Sequence, residues 1–441
     1  MTATPFDSAH LHRLFPAGEI GKLFSDSAEI RAMMLVEGAL AKVQGTAGVI
    51  PETAGQAIHR ASLELQIDPA GLADATGSNG VTVPGLVAAF RGLMQAPDHA
   101  QYLHWGATSQ DIQDSGLMLR LRQVLTLAET DLRATLAALA ALADTHADTP
   151  MAARTYGQHA TPTSFGVIAA GWGWPLLSLL EDLPALRDGA LWVSLAGASG
   201  TASELGADAP ALRAALAEAL NLRDPGRSWH TDRTPILRIA DWLGRLTTAF
   251  GKMGEDLVRA TQSGIGEVRL GASGASSTMP QKQNPVGPSV LVALARHASG
   301  LGATLHLPHA QQRDGAAWFT EWLCLPQLVL TAAAALGHGR KLAESLTPDA
   351  EAMAATLAAS NGLILAEALS FALAETMPRP EAQAETKRLC ALVRETGRTL
   401  AEVAAEAHPA IGAERLDPLR QTGQAPAEAR AFAERVRALA D

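Results

Sequence analysis

Residues 117–148 read LMLRLRQVLTLAETDLRATLAALAALADTHAD, 32 residues without a proline or glycine. Leu117, Leu121, Val124, Leu125, Leu132, Leu136 and Leu139 recur at three- and four-residue steps, the period of one helix face. At the helical rise this segment is about 48 Å long. A helix of that length needs partners along all of it, which a bundle of long helices provides. Similar runs predict helices over residues 235–262, 288–304, 325–345 and 348–376, with start signals at Pro348-Asp349 and in the Asp26-to-Glu29 spacing. Strand-like alternation is confined to residues 81–83 and 191–195. The chain therefore reads as all-α.

Composition agrees. Hydrophobic residues make up 47% of the 441 residues and aromatics only 4%, so alanine and leucine dominate the apolar set. Both are strong helix formers, and alanine lets helices approach closely. A net charge of -10 argues against nucleic acid as a partner, because phosphate binding needs a basic surface, but leaves room for a small anion held by local cations. The two cysteines, Cys324 and Cys390, lie in apolar helical stretches and read as buried reduced thiols rather than a disulfide or metal site. Residues 1–14 lack the apolar run of a signal peptide, and no long uninterrupted apolar stretch suggests a membrane span, so cytoplasm is expected.

Three breaks interrupt the helical pattern, at residues 71–85, 200–233 and 264–288. The second is polar and leaves room for one short helix. The third combines glycines, serines and three prolines between two strong helices. A loop of that length inside a helical protein is uncommon and usually functional. Its glycine-rich arm can close over a substrate, and Lys282 can meet a carboxylate as a point charge.

Within it, Ser276-Ser277-Thr278-Met279-Pro280-Gln281-Lys282-Gln283-Asn284-Pro285 resembles the G-S-S-x-M-P-x-K-x-N-P signature of the fumarase/aspartase superfamily, with Ala275 where glycine is usual. The resemblance implies that Ser276 transfers the proton, assisted by Lys282, and that Ser277, Met279 and Asn284 lie against substrate. His104-Trp105-Gly106-Ala107-Thr108-Ser109-Gln110-Asp111 resembles a second signature of that superfamily, implying substrate contacts at His104, Thr108 and Ser109. Without the resemblance, Thr108-Ser109 is a helix N-cap, and a helix N-terminus is itself an anion site. Arg154-Thr155-Tyr156-Gly157-Gln158-His159 resembles a third, adding Arg154, Thr155, Tyr156 and Gln158. Arg313, just before Ala317-Trp318-Phe319-Thr320-Glu321-Trp322, matches a further substrate-binding arginine.

The superfamily's lyases typically carry their general-acid histidine where this chain has Tyr156; His159, three residues on, is expected to pack or hydrogen-bond instead. A carboxylate leaving group, with a reference pKa of about 4, departs without an acid. Two branches fit that condition: cycloisomerases, in which a substrate carboxylate adds to a double bond to close a lactone, and aspartase-type ammonia lyases. Asn79-Gly80-Val81-Thr82-Val83-Pro84, His104 to Asp111 and Ala317 to Trp322 look like the bacterial cycloisomerase branch. The alternatives are fumarate-releasing lyases of adenylosuccinate or aspartase type, and a structural protein that keeps the fold as lens crystallins do. Intact Ser276, Lys282 and Asn284 argue against the last. The resemblance further implies an N-terminal helical domain (residues 1–106), a central long-helix bundle (107–346) carrying the catalytic loop 264–288, and a C-terminal helical domain (347–441). It implies a homotetramer whose sites are shared between three subunits, a small tricarboxylate as substrate, and no cofactor or metal.

Overall fold

The computed structural model describes residues 4–271, 274–275, 279 and 282–439. Seventeen α-helices are present among the described residues, six of them 20 to 37 residues long: Asp26–Thr46, Ser109–Thr145, Phe165–Ala190, Thr234–Ala260, Val286–Leu305 and Gly315–Ser345. The fold is all-α, as expected. The chain divides into two compact units, one of residues 1–130, 179–247 and 294–337, the other of residues 131–178, 248–293 and 338–441.

In the first unit, the helix expected from Leu117 begins at Ser109. Its opening turns escaped the periodicity because they bury polar side chains, Gln110, Asp111, Asp114 and Ser115, in place of apolar ones. From there Met118, Leu121, Val124 and Leu125 follow at full burial, each apolar side chain contributing roughly 1.5–3 kcal/mol. Gly116 marks the closest approach to helix Asp26–Thr46, since a Cβ there would come 3.3 Å from the Met33 backbone nitrogen. One turn beyond, Gly38 abuts helix Glu52–Glu64, where an added Cβ would overlap the Ser62 hydroxyl. Helix Asp26–Thr46 is thus held at backbone distance on two sides. The helix expected from residue 325 starts at Gly315 and runs through Pro326, because Ala317, Trp318, Glu321 and Cys324 are buried upstream of the proline. This helix is long and apolar enough to cross a membrane, yet 61% of its most apolar window is buried inside the protein. Neither expected strand forms: Val83 opens helix Val83–Met94, and residues 191–195 are extended with a single bridge, Trp192 to Arg223. The polar break holds one helix, Ala209–Leu220, after a 3-10 turn.

In the second unit, the helix expected over residues 348–376 is two, Ala350–Ala358 and Ala366–Ala374, because Asn361 and Gly362 take left-handed φ of 49° and 81°. Leu365, Leu369, Leu389, Val393, Leu400 and Val403 form the core behind them. An antiparallel hairpin, Pro150–Thr155 with Gln158–Ser164, went unforeseen. Proline at 150 and 162 argues against a strand from sequence alone, and Pro162 sits opposite Ala152 next to a register shift. Cys324 and Cys390 are both buried and free.

Candidate active site

In the first unit the site is organised by Asp111, whose side chain is fully buried in the first turn of the long helix. Its Oδ2 accepts from the Thr108 N–H (3.1 Å) and the Gly197 N–H (2.9 Å). Its Oδ1 accepts from the Ala196 N–H (3.0 Å) and the Ser194 hydroxyl (2.9 Å), and lies 2.8 Å from His230 Nε2. A carboxylate reaching back to the N-cap N–H is the acidic half of a capping box. Here it also pins the chain at residues 194–197 to the helix start.

Thr108 Oγ1 accepts from Arg313 Nη1 at 3.0 Å, and Arg313 Nη2 donates to the Ala198 carbonyl at 3.1 Å. The arginine expected from one end of the sequence thus meets the threonine expected from the other, with Ser109 half-buried at the same helix end. His104 has φ of 65°, and its Nδ1 lies 2.7 Å from Oε1 of Glu37, a fully buried carboxylate on helix Asp26–Thr46. Burial pulls the imidazole down, but the charge and hydrogen bond of Glu37 and the field of Asp111 outweigh it, leaving His104 above the ordinary histidine value.

Beneath this surface Arg233, buried under Trp229, donates to both oxygens of Asp114 (2.8 and 2.9 Å) and of Glu321 (2.7 and 2.8 Å). Burial alone would raise Glu321, yet hydrogen bonds from His309 and Arg233 hold it below the usual carboxylate range. His309, on the segment that leads to Arg313, brings its Nε2 within 3.4 Å of Glu321 Oε1. Arg233 therefore ties helix Gly315–Ser345 to helix Ser109–Thr145 under the Arg313–Thr108 contact.

In the second unit Arg154 does not point freely at a ligand. Its Nη1 and Nη2 form a bidentate pair with the fully buried Glu267 carboxylate (2.7 and 2.9 Å). Thr155 pairs with Gln158 at the end of the hairpin, and Tyr156-Gly157 form its two-residue turn with φ of 53° and 73°. Two positive φ values fit a type I′ turn, which matches the strand twist. Tyr156 is fully exposed at the tip. His159, expected to pack or hydrogen-bond, is also exposed, opposite Arg154 in the register. Along the hairpin, from its turn to helix Phe165–Ala190, a cavity of about 840 Å³ is lined by Arg154, Tyr156, Phe165, Trp172, Lys252 and Asp256. There the Trp172 indole donates to Asp256 at 2.8 Å.

On the loop, Gly274–Ala275 pair antiparallel with Gln283–Asn284, placing Asn284 opposite Gly274. The Lys282 N–H donates to the Met279 carbonyl at 3.0 Å, and both residues are exposed. Ser276 and Ser277 lie outside the described residues.

Sequence reasoning gave no role to Asp111, Glu37 or Glu267. The carboxylate three residues after Thr108 was the signal available for Asp111. Glu37 and Glu267 sit far along the chain from the groups they hold, and no local pattern links them. Among the described residues no group of three or more His, Cys, Asp or Glu side chains could hold a metal ion.

A family model described as "Lyase" matches residues 15–300. The 3-carboxy-cis,cis-muconate cycloisomerase of Pseudomonas aeruginosa is 39% identical over 96% of this chain and 94% of its own length. The nitrosuccinate lyase of Streptomyces davaonensis is 34% identical over the same two shares, 96% and 94%. Among solved structures, the 3-carboxy-cis,cis-muconate lactonizing enzyme of Pseudomonas putida superposes with a TM-score of 0.91 at 33% identity, covering 98% of this chain and 100% of that one. With the signatures at Thr108, Arg154 and Lys282 already in order, these matches leave one assignment: the chain belongs to the lyase family of the fumarase/aspartase superfamily and is similar, along nearly its whole length, to its bacterial cycloisomerases.

Proposed function

We propose that the protein converts 3-carboxy-cis,cis-muconate to 4-carboxymuconolactone, a ring closure in aromatic catabolism. One substrate carboxylate oxygen forms a bond to the neighbouring alkene carbon. The π electrons move towards the adjacent carboxylate, which becomes an enediolate, and a proton then adds to the carbon beside it. Ser276 delivers that proton. A serine hydroxyl is a weak acid unless positive charge and exclusion of water activate it, which is the role given to Lys282 and to closure of its loop. Arg313, Thr108, Ser109, Thr155 and Asn284 hold the three carboxylates and the developing charge, and positioning supplies much of the rate because the attack is intramolecular.

One observation supports this most directly: Arg313 bonded to Thr108 at the N-terminal turn of helix Ser109–Thr145. A guanidinium, two hydroxyls and a helix N-terminus together suit a substrate with several carboxylates. The fully exposed Tyr156, on a tip of left-handed φ, supports a homotetramer in which the hairpin reaches a neighbouring subunit's site, with each site shared by three subunits. Cytoplasm is the proposed location.

A second reading follows from the nitrosuccinate lyase relative. Nitrite is also a weak base that leaves without an acid, so Tyr156 in the acid position accommodates it equally well. The test is an absorbance assay with 3-carboxy-cis,cis-muconate beside nitrosuccinate, adenylosuccinate, and fumarate plus ammonia. Loss of the diene signal with the first alone is expected. Turnover of nitrosuccinate instead overturns the lactonising assignment.

A further inference from the structure

Two buried polar side chains on one helix face brace a single short segment. Glu37 and Gln44, two turns apart on helix Asp26–Thr46, are 1% and 0% exposed. Glu37 Oε1 meets His104 Nδ1 at 2.7 Å, and Gln44 Nε2 donates to the Trp105 carbonyl at 2.7 Å. From helix Val83–Met94, Arg91 donates to the Ala100 and Leu103 carbonyls at 3.2 and 2.9 Å. Three long polar side chains thus hold residues 100–105, and His104 is fixed there in a left-handed conformation that is uncommon outside glycine. A loop that needed only to turn would place glycine at that φ, as it does two residues later at Gly106. A buried carboxylate is costly unless it is paired and hydrogen-bonded, as Glu37 is with His104.

We propose that Glu37 is a positioning residue that fixes the His104 imidazole, Nδ1 inward and Nε2 outward, so that His104 meets a substrate carboxylate as a cation. The proposal rests on the reading that this helix end binds a polycarboxylate. Its geometry is that of a carboxylate orienting a histidine through one ring nitrogen and leaving the other for the ligand. The charged groups facing the ring are Glu37, Asp111 on helix Ser109–Thr145 and Arg91 on helix Val83–Met94. The two carboxylates favour the imidazolium and the arginine opposes it.

The experiment has an arm that needs no substrate. Histidine-labelled protein is titrated by long-range proton–nitrogen NMR, wild type against Glu37→Gln. His104 in the wild type should hold its proton on Nδ1 when neutral and titrate above the ordinary histidine value. In the variant its midpoint should fall while the other histidines keep theirs. In steady-state assays Glu37→Gln should raise KM for 3-carboxy-cis,cis-muconate about tenfold, the scale of a lost charge-assisted contact, with kcat little changed and the rise in KM beginning at lower pH. Glu37→Asp should recover part of the loss. In a His104→Gln background, Glu37→Gln should add nothing to KM, since the group it positions is gone. An unmoved His104 titration overturns the proposal, as does a KM effect of the same size with and without His104. If Glu37→Gln misfolds, the wild-type titration decides: a His104 midpoint at or below the ordinary histidine value, or a neutral ring with its proton on Nε2, overturns the idea. If the substrate is not turned over but the titration moves, the proposed function fails while the coupling of Glu37 to His104 stands.

Discussion

The helix start at Asp111 and the hairpin tip at Tyr156 carry neighbouring parts of the same sequence signature set, but they are held in opposite ways. Around Asp111 one buried carboxylate faces five donor groups, and Arg233 locks two helices together beneath it. At the hairpin, Arg154 and Glu267 fix the base, while Thr155, Tyr156 and Gln158 stand exposed. The first region is finished within its own unit. The second is a presented surface. Preorganised binding groups and a projecting tip are different devices, and mutation should tell them apart.

The most severe test is Asp111→Ala. It strands buried donors and should cost about 3–5 kcal/mol, read by denaturant unfolding; a loss below about 1 kcal/mol would mean that the helix start is not preorganised. Arg313→Ala should follow, lowering kcat/KM about tenfold to a hundredfold with the melting temperature unchanged, because Arg313 is exposed. Equal loss of stability and activity would merge binding and scaffold, which the comparison separates. A gentler probe is the pH dependence of stability. His104 is raised in the folded protein, so its contribution is full below the unfolded value of about 6.5 and is lost as pH rises through the folded one. Glu37→Gln should flatten that part of the profile; an unchanged slope would assign it to another group. Smallest of all, Tyr156→Gly should change stability by no more than about 1 kcal/mol, and upward, since glycine accepts the left-handed φ freely. A larger loss would show that the tip packs within its own chain.

The all-α fold was legible because long leucine periodicities survive in sequence, as in residues 117–148. What escaped was set by tertiary contacts. The first two turns of helix Ser109–Thr145 bury polar groups that only make sense beside Ser194, Ala196 and His230, far along the chain. The hairpin was hidden by its prolines, and helix Phe165–Ala190 by Pro175 and Pro184. For the candidate site, the signatures supplied candidate residues, and of these the structure joins Arg313 to Thr108. They could not reveal that Arg154 is already engaged by Glu267, because a bidentate partner 113 positions away leaves no local trace.

Asp111 has one more consequence. Its negative charge already occupies the positive end of the longest helix. A carboxylate held by Thr108 and Ser109 as proposed would arrive beside a resident anion, so more of its charge would fall to Arg313 and His104 than to the helix end alone. A polyanion gripped by a helix end and several cations at once would leave slowly. On that proposal a fixed negative charge in the grip should speed departure of the product, so the group that makes the helix start rigid would also keep the site from becoming a trap.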